Sequence, residues 1–241
     1  NNHLFVYPSP CHSSDQLGLM YVPLDREIAT YDRGRSSINL EEAKAVVQAA
    51  FDHYQTYGDG KSLGIGTFNV NQQQAILEVL ELELKRHPRA QKFHKHFFGE
   101  WEEKFFVKNL ETIQGDERDV IFISVGYGFD EDGKLTHNFG PLNKDGGERR
   151  LNVLVTRAKQ KCVVFANFHA GDLKNVTEGS AFGLRALKTF LEYAEHRSLE
   201  SLDSHTVETT SPFEDSIKSA LEEEGLVVHR QVGCAGYRLD L

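Results

Sequence analysis

The chain has 241 residues, 39% of them hydrophobic, and a formal net charge of -9. This composition is sufficient for a packed core and excludes an extended polar chain. It also argues against a surface that binds phosphate over its whole area, because such binding needs clustered Lys and Arg. No stretch approaches the roughly 20 apolar residues that cross a bilayer, and the first residues lack a signal-peptide layout. We therefore expect a cytoplasmic protein without a membrane partner, whose three separated cysteines form neither a disulfide framework nor a zinc site.

Strands and helices alternate along residues 1–196. Apolar runs predict strands at residues 17–24, 63–68, 105–107, 120–125 and 162–166. Helical spacing and end signals predict helices from the cap Asn39 to about Tyr57, and at 72–86, 147–159 and 181–196. This alternation predicts an α/β fold, a mostly parallel sheet flanked by helices, with ligands at the carboxyl ends of its strands.

The remaining residues read as a second unit. Residues 197–212 are polar and rich in Ser and Thr, which predicts a linker. An amphipathic helix at 213–224 and a strand at 227–232 follow. One helix and one or two strands cannot build a core, so we expect residues 213–241 to be the truncated start of a further domain.

One phosphate-binding pattern is incomplete. Gly60, Lys61 and Ser62 resemble the end of a P-loop, but the glycine required earlier in the pattern is replaced by Gln55. The predicted context is also reversed, since a helix precedes the sequence and a strand follows it. If a nucleotide binds, this chain supplies only part of the site.

Three other strings combine strands, turns and polar residues. In residues 148–159, ERRLNVLVTRAK, Arg150 and Arg157 are seven residues apart and predicted on one helix face, while Leu151, Val153, Leu154 and Val155 face the sheet. Residues 111–125, ETIQGDERDVIFISV, place Gly115 where the chain can turn tightly, with Asp116, Glu117 and Arg118 expected at the mouth of the sheet. Residues 64–76, GIGTFNVNQQQAI, form a strand that leads to Gln72 at a helix start.

In chain order these strings resemble motifs IV, V and VI of the Upf-like branch of superfamily 1 helicases. The resemblance implies a RecA-like P-loop NTPase fold, here as the second motor domain without its own P-loop. It also implies a first RecA-like domain of the same polypeptide as partner, which supplies the P-loop and the Mg²⁺ carboxylates. ATP and Mg²⁺ would be bound between the two domains, DNA would be the nucleic-acid partner, and this chain alone would be inactive.

The resemblance also assigns residues. Arg157 matches the arginine finger that reaches the γ-phosphate, and Arg150 belongs to the same catalytic motif. Glu117 matches the carboxylate that binds the ribose, Gly115 its turn, and Gln72 the motif IV glutamine. Asn109 and Thr112 match positions that contact the nucleic-acid backbone, although Asn109 stands where Thr is more usual.

A basic run at residues 85–96, KRHPRAQKFHKH, contains no acid. Its candidate nucleic-acid contacts are Lys85, Arg86, Arg89 and Lys92. A DNA contact and a solvated basic face remain equal alternatives.

The tail carries a second resemblance. Residues 211–241 look like the start of a PD-(D/E)XK nuclease domain related to very-short-patch-repair endonucleases, which implies an incomplete restriction-endonuclease-like α/β segment. Glu214 and Asp240 match the first acidic positions, so they are candidate catalytic residues and Mg²⁺ ligands.

Two rival functions of the chain stay open. One is a DNA endonuclease that the RecA-like part positions, and the other is a non-catalytic RecA-like platform that binds proteins.

Overall fold

The computed structural model describes residues 18–86, 90–98 and 105–196, and the backbone of 232–234 and 237–239. The chain divides into two compact units, residues 1–199 and 200–241. The predicted linker and the helix at 213–224 lie outside the described residues, so the domain boundaries stay predictions. Among the described residues, no helix has the length and apolarity that a membrane span needs.

The first unit is built on five strands and five helices in the described ranges. The strands are β1 (Gly18–Pro23), β2 (Leu63–Thr67), β3 (Phe106–Asn109), β4 (Arg118–Ser124) and β5 (Ala158–Ala166). The helices are α1 (Leu40–Tyr57), α2 (Val70–Arg86), α3 (His94–Phe98), α4 (Gly147–Val155) and α5 (Phe182–His196). In the second unit, β6 (Val232–Cys234) and β7 (Tyr237–Leu239) pair antiparallel.

All pairings in the five-stranded sheet are parallel, in the order β1-β5-β4-β2-β3. Side chains alternate between the faces of a strand, so β4 divides between two cores. Ile121 and Ile123 pack with α4 and α5, whereas Val120 and Phe122 pack with α1 and α2. A parallel sheet buried on both faces, as predicted for the continuously apolar β4, confirms the α/β class.

The ends of α1 follow the predicted signals. The side chain of Asn39 accepts a hydrogen bond from the backbone N–H of Glu42, as an N-cap does. At the other end, Gly58 has a φ of 54°, and a short 3-10 turn over Gly58–Gly60 leads into β2. A helix therefore precedes Lys61 and a strand follows it, in agreement with the rejection of a P-loop there.

The prediction for residues 147–159 is wrong at its C-terminal end. Helix α4 stops at Val155, and β5 begins at Ala158 rather than at residue 162. The hydroxyl of Thr156 donates to the carbonyls of Asn152 and Val153, which closes the last helical turn. The backbone N–H of Arg118 then bonds the carbonyl of Arg157 and draws this segment into the sheet. Arg157 consequently follows the helix and does not share a helix face with Arg150.

Candidate functional site

Residues 110–117 form a crossover segment between β3 and β4. The strands are parallel, so the segment runs from the carboxyl end of β3 back to the amino end of β4. Leu110 and Ile113 are buried against the sheet and anchor it. Gly115 has a φ of 90°, a conformation that L side chains rarely adopt, which supports the predicted tight turn. Glu117 directly precedes β4, so the expectation that it lies at the carboxyl mouth of the sheet is wrong.

Arg157 lies, like Glu117, at the amino ends of the strands, because α4 packs closely on the sheet and ends there. A Cβ at Gly66 of β2 would approach Leu154 Cδ1 to 2.3 Å, so the glycine makes room for the last turn of α4. Beyond that turn, Arg157 Nε donates to the carbonyl of Val153 at 2.8 Å. Its Nη2 donates to Thr156 Oγ1 at 3.1 Å. The guanidinium is therefore held at the end of the helix by two local contacts.

Glu117 and Arg157 meet at the amino ends of β4 and β5. Arg157 Nη1 lies 3.8 Å from Glu117 Oε1, which is an ion pair but is longer than a hydrogen bond. The side chain of Glu117 is 54% exposed and that of Arg157 is 18% exposed. A carboxylate and a cation in this arrangement can exchange their mutual contact for contacts with a ligand.

Arg150 occupies a different position, in the first half of α4. Its Nε donates to Glu111 Oε1 at 3.0 Å, and its Nη1 donates to the carbonyl of Asp145 at 2.9 Å. A shallow cavity of about 380 Å³ lies beside it and is also lined by Gln114 and Gly146. Arg150 thus ties the start of the crossover segment to the start of α4, whereas Arg157 lies beside the end of that segment.

Gln72 is fully buried and lies inside a hydrogen-bonded network. Its Oε1 accepts from the backbone N–H of Asn39, and its Nε2 donates to the carbonyl of Asn39 and to Ser124 Oγ. These three bonds connect the starts of α1 and α2 to the end of β4. Both polar atoms of the amide are used within the chain, so a nucleotide contact of Gln72 has no geometric support.

Glu42, an acid in the first turn of α1, belongs to the same network. Its Oε1 accepts from Ser124 Oγ at 2.6 Å and from the backbone N–H of Gly126 at 2.7 Å. Burial raises the pKa of Glu42 to about 8, although these hydrogen bonds favour the carboxylate. No local sequence pattern indicates this role, since Asn39 and Glu42 form an ordinary helix start.

The predicted nucleic-acid contacts lie at the carboxyl end of β3. Asn109 Nδ2 donates to Gln73 Oε1, and its Oδ1 accepts from the backbone N–H of Glu111. Thr112 is exposed, and its Oγ1 accepts from the backbone N–H of Asn109. Asn109 thus shapes the turn, and the hydroxyl of Thr112 also donates to the carbonyl of Asn109 at 3.4 Å, so both side chains bond within the chain.

The described residues of the basic run lie at the end of α2 and from residue 90 into α3. Lys85 forms an exposed ion pair with Glu81 at 3.2 Å, and Lys92 Nζ lies 4.6 Å from the ring centroid of Phe93. Arg86 is exposed. Arg89 lies outside the described residues. The geometry is compatible with a phosphate contact and equally with a solvated face.

The predicted metal site cannot be located, because Glu214 and Asp240 lie outside the described residues. Among the residues that are described, no group of three or more His, Cys, Asp or Glu side chains could hold a metal ion. A cavity of about 500 Å³ lies elsewhere and is lined by acids and bases together, with Arg33 and Asp130 paired at 3.6 Å. It therefore indicates no particular ligand.

The chain is similar to two uncharacterized ATP-dependent helicases. It is 35% identical over 190 residues to one of Mycoplasma pneumoniae, covering 74% of this chain. It is 34% identical over 190 residues to one of Mycoplasma genitalium, covering 79% of this chain. In both cases the chain spans only 16% of the relative's length.

The fold was also compared with solved structures. The crystal structure of Cas3 from T. fusca matches 91% of this chain and 27% of its own chain, with 12% identity and a TM-score of 0.38. A likeness at this level supports no conclusion about function.

A family model described as an AAA domain, AAA_12, matches residues 9–169. The matched range contains the whole five-stranded parallel sheet, from β1 to β5. The parallel sheet flanked by helices confirms the predicted α/β fold class. Because the match covers more than half of the chain, the chain belongs to this AAA domain family.

Proposed function

We propose that this chain is the second RecA-like motor domain of a superfamily 1, Upf-like helicase that uses ATP hydrolysis to move along DNA. The observation that carries the proposal is the meeting of Glu117 and Arg157 at one edge of the sheet. A cation there stabilises the charge that develops during phosphoryl transfer. The neighbouring carboxylate accepts hydrogen bonds from the ribose hydroxyls.

The residues at this edge fit half of a nucleotide site. Arg157 is held through its Nε, and its Nη1 forms a loose ion pair with Glu117 at 3.8 Å. The sequence contains no complete P-loop, so it offers no glycine-rich cradle for the phosphates. In our proposal the first motor domain of the same polypeptide binds the phosphates and Mg²⁺, and this domain completes the site on closure.

The crossover segment links two functions in this proposal. Thr112 and Asn109, at its start, contact the nucleic-acid backbone, and Glu117, at its end, contacts the nucleotide. Leu110 and Ile113 anchor the segment on the sheet between those ends. A shift of the segment on DNA binding would therefore move Glu117, the residue that contacts the nucleotide.

Two further parts of the proposal rest on the sequence resemblance. The nucleic acid is DNA rather than RNA, and the tail has a nuclease activity based on Glu214 and Asp240.

The decisive experiment uses the full-length protein that carries this domain. In Arg157→Ala we expect nucleic-acid-stimulated ATP turnover to fall about 10³-fold, with ATP affinity changed less than about threefold, because the finger acts mainly in the transition state. Steady-state kinetics and a nucleotide-binding titration measure the two quantities.

A matched control is available in Arg185→Ala. Arg185 is also a partly buried arginine, but it belongs to α5, where it lies over the ring of Phe182. Its replacement should leave turnover within about twofold of the wild type. Near-normal turnover in Arg157→Ala would remove this arginine from the catalytic site and with it the motor-domain proposal.

A further inference from the structure

Arg118 is a charged residue in a buried position. It is the first residue of β4 and is only 9% exposed. Its Cζ lies 4.8 Å from the ring centroid of Phe106, and its Nη1 donates to the carbonyl of Glu117 at 2.6 Å. A buried guanidinium is costly unless it is well bonded, so the contacts that Arg118 makes keep it in this position.

The aromatic ring beneath Arg118 is closely packed against the neighbouring strand. Phe106 lies on β3 directly against Gly64 of β2, where an added Cβ would approach the ring to 2.4 Å. An aromatic face attracts a cation through its quadrupole. The ring therefore fixes where the guanidinium of Arg118 lies, and the guanidinium in turn fixes the carbonyl of Glu117.

The other side of Glu117 is anchored in the same way. Lys108 of β3 forms an ion pair with Asp116 and also lies over the ring of Phe106, 5.5 Å from its centroid. Both neighbours of Glu117 thus contact β3: Asp116 pairs with Lys108, and Arg118 lies over Phe106. The side chain of Glu117 remains more than half exposed, so its backbone is held while its carboxylate stays accessible.

The backbone of Arg118 adds a link to the second ligand. Its N–H donates to the carbonyl of Arg157, and Arg118 lies opposite Ala158 in the ladder between β4 and β5. One residue therefore contacts the main chain of both groups that we assign to the nucleotide. The link to Arg157 uses only backbone atoms and would survive a side-chain substitution.

We propose that Arg118 is a positioning residue that holds the backbone of Glu117 and thereby orients its carboxylate for binding the ribose. The inference rests on the proposed function. The side chain of Arg118 acts through Glu117, whereas the backbone N–H of Arg118 holds the carbonyl of Arg157. Loss of the guanidinium should accordingly weaken ATP binding more than it slows turnover.

The test uses the full-length protein with Arg118→Met, which keeps the length and apolar stem of the side chain. We expect KM for ATP to rise about tenfold and kcat to stay within about twofold. Arg118→Lys keeps a cation over Phe106 without the planar donor fork, so we expect a KM between those of Arg118→Met and the wild type. This second variant retains the buried charge and keeps the test available if Arg118→Met does not fold.

Two comparisons separate positioning from a general structural role. Arg185→Met removes another arginine that lies over an aromatic ring, 4.9 Å from the centroid of Phe182, and should leave KM unchanged. If Arg118 acts through Glu117, the double variant Glu117→Gln/Arg118→Met should have the same KM as Glu117→Gln alone. A merely structural role predicts a reduced active fraction at normal KM, and a contribution of Arg118 that is independent of Glu117 predicts additive increases of KM in the double variant. Either result would overturn the inference.

The nucleotide-binding role of Glu117 and the positioning role of Arg118 are refuted by different results. A raised KM in Glu117→Gln together with a normal KM in both Arg118 variants overturns the positioning role alone. An unchanged KM in Glu117→Gln overturns the nucleotide-binding role of Glu117 and the positioning role with it.

Discussion

Two polar clusters at opposite edges of the sheet differ in burial and in bonding. At the amino edge, Glu117 and Arg157 face each other across 3.8 Å, and the carboxylate is more than half exposed. At the carboxyl edge, Glu42, Gln72 and Ser124 are fully buried, and the bonds among them span 2.6 to 3.0 Å. The first cluster can exchange partners with a ligand, whereas the second is committed to holding α1, α2 and β4 together. Motif resemblance places Gln72 and Glu117 in the same functional class, and burial separates them.

The largest expected effect is a decrease in the free energy of unfolding with rising pH, caused by the ionisation of Glu42. Its pKa in the folded chain is about 8, above the ordinary value of 4.5, so folding favours the protonated form. The stabilisation is complete below the unfolded pKa, declines as pH rises from about 5, and is lost above about 8. We expect a decline of about 3 kcal/mol between pH 5 and 7.5 in the free energy of unfolding. Denaturant titrations over this pH range measure it.

Glu42→Gln supplies the control for that dependence. The amide oxygen can accept the bonds from Ser124 and Gly126, and the neutral side chain does not ionise. Stability of this variant should vary less with pH and should exceed that of the wild type above pH 8. The same pH profile in both proteins would show that another group is responsible.

The next effect sharpens the contrast at Gln72. Gln72→Ala leaves the backbone groups of Asn39 and the hydroxyl of Ser124 without their buried partner, which should lower the free energy of unfolding by about 2 kcal/mol. The matched control is Gln74→Ala on the same helix, because Gln74 is exposed and donates to Glu78 within that helix. It should cost less than about 0.5 kcal/mol. If Gln72→Ala were as stable as the wild type but bound ATP more weakly, Gln72 would be a nucleotide-binding residue, and the distinction between the two clusters would be wrong.

A smaller effect is expected from the basic run. Neutralising it should lower nucleic-acid affinity about tenfold and reduce the salt dependence of binding, without changing sequence preference. The residues to replace are Lys85, Arg86, Arg89 and Lys92. Replacement of the exposed Lys44 and Lys174 is the control for a nonspecific effect of charge. If affinity and salt slope stay the same in the neutralised protein, the run is a solvated face.

The smallest effect is expected at the amino edge. Glu117→Gln removes only a long, partly exposed ion pair, so the free energy of unfolding should change by less than about 0.5 kcal/mol. Denaturant titration beside Gln72→Ala tests this directly. A loss as large as that of Gln72→Ala would mean that Glu117 is a structural residue, and the distinction between the two edges would fall.

The sequence by itself determined the alternation of strands and helices, the caps of α1 and the absence of a complete P-loop. These features depend on local patterns, such as Asn39 before an apolar helical repeat or the unbroken apolar run of β4. It also indicated the order of the motifs and the residues Glu117 and Arg157. Periodicity could not place the end of α4, because Thr156 and Arg157 leave the helix through bonds to residues that include Arg118 in another strand.

Only the tertiary structure decided which polar residues are accessible. Gln72 and Glu117 are both polar residues beside a strand, and the chain before folding gives no reason to treat them differently. Pairing of β2 with β4 brings Gln72 within reach of Ser124, and packing of α1 covers both. Parallel pairing likewise returns the crossover segment to the amino edge and brings Glu117 to Arg157. These contacts join residues that are distant in sequence, so burial and partner choice follow from the three-dimensional arrangement alone.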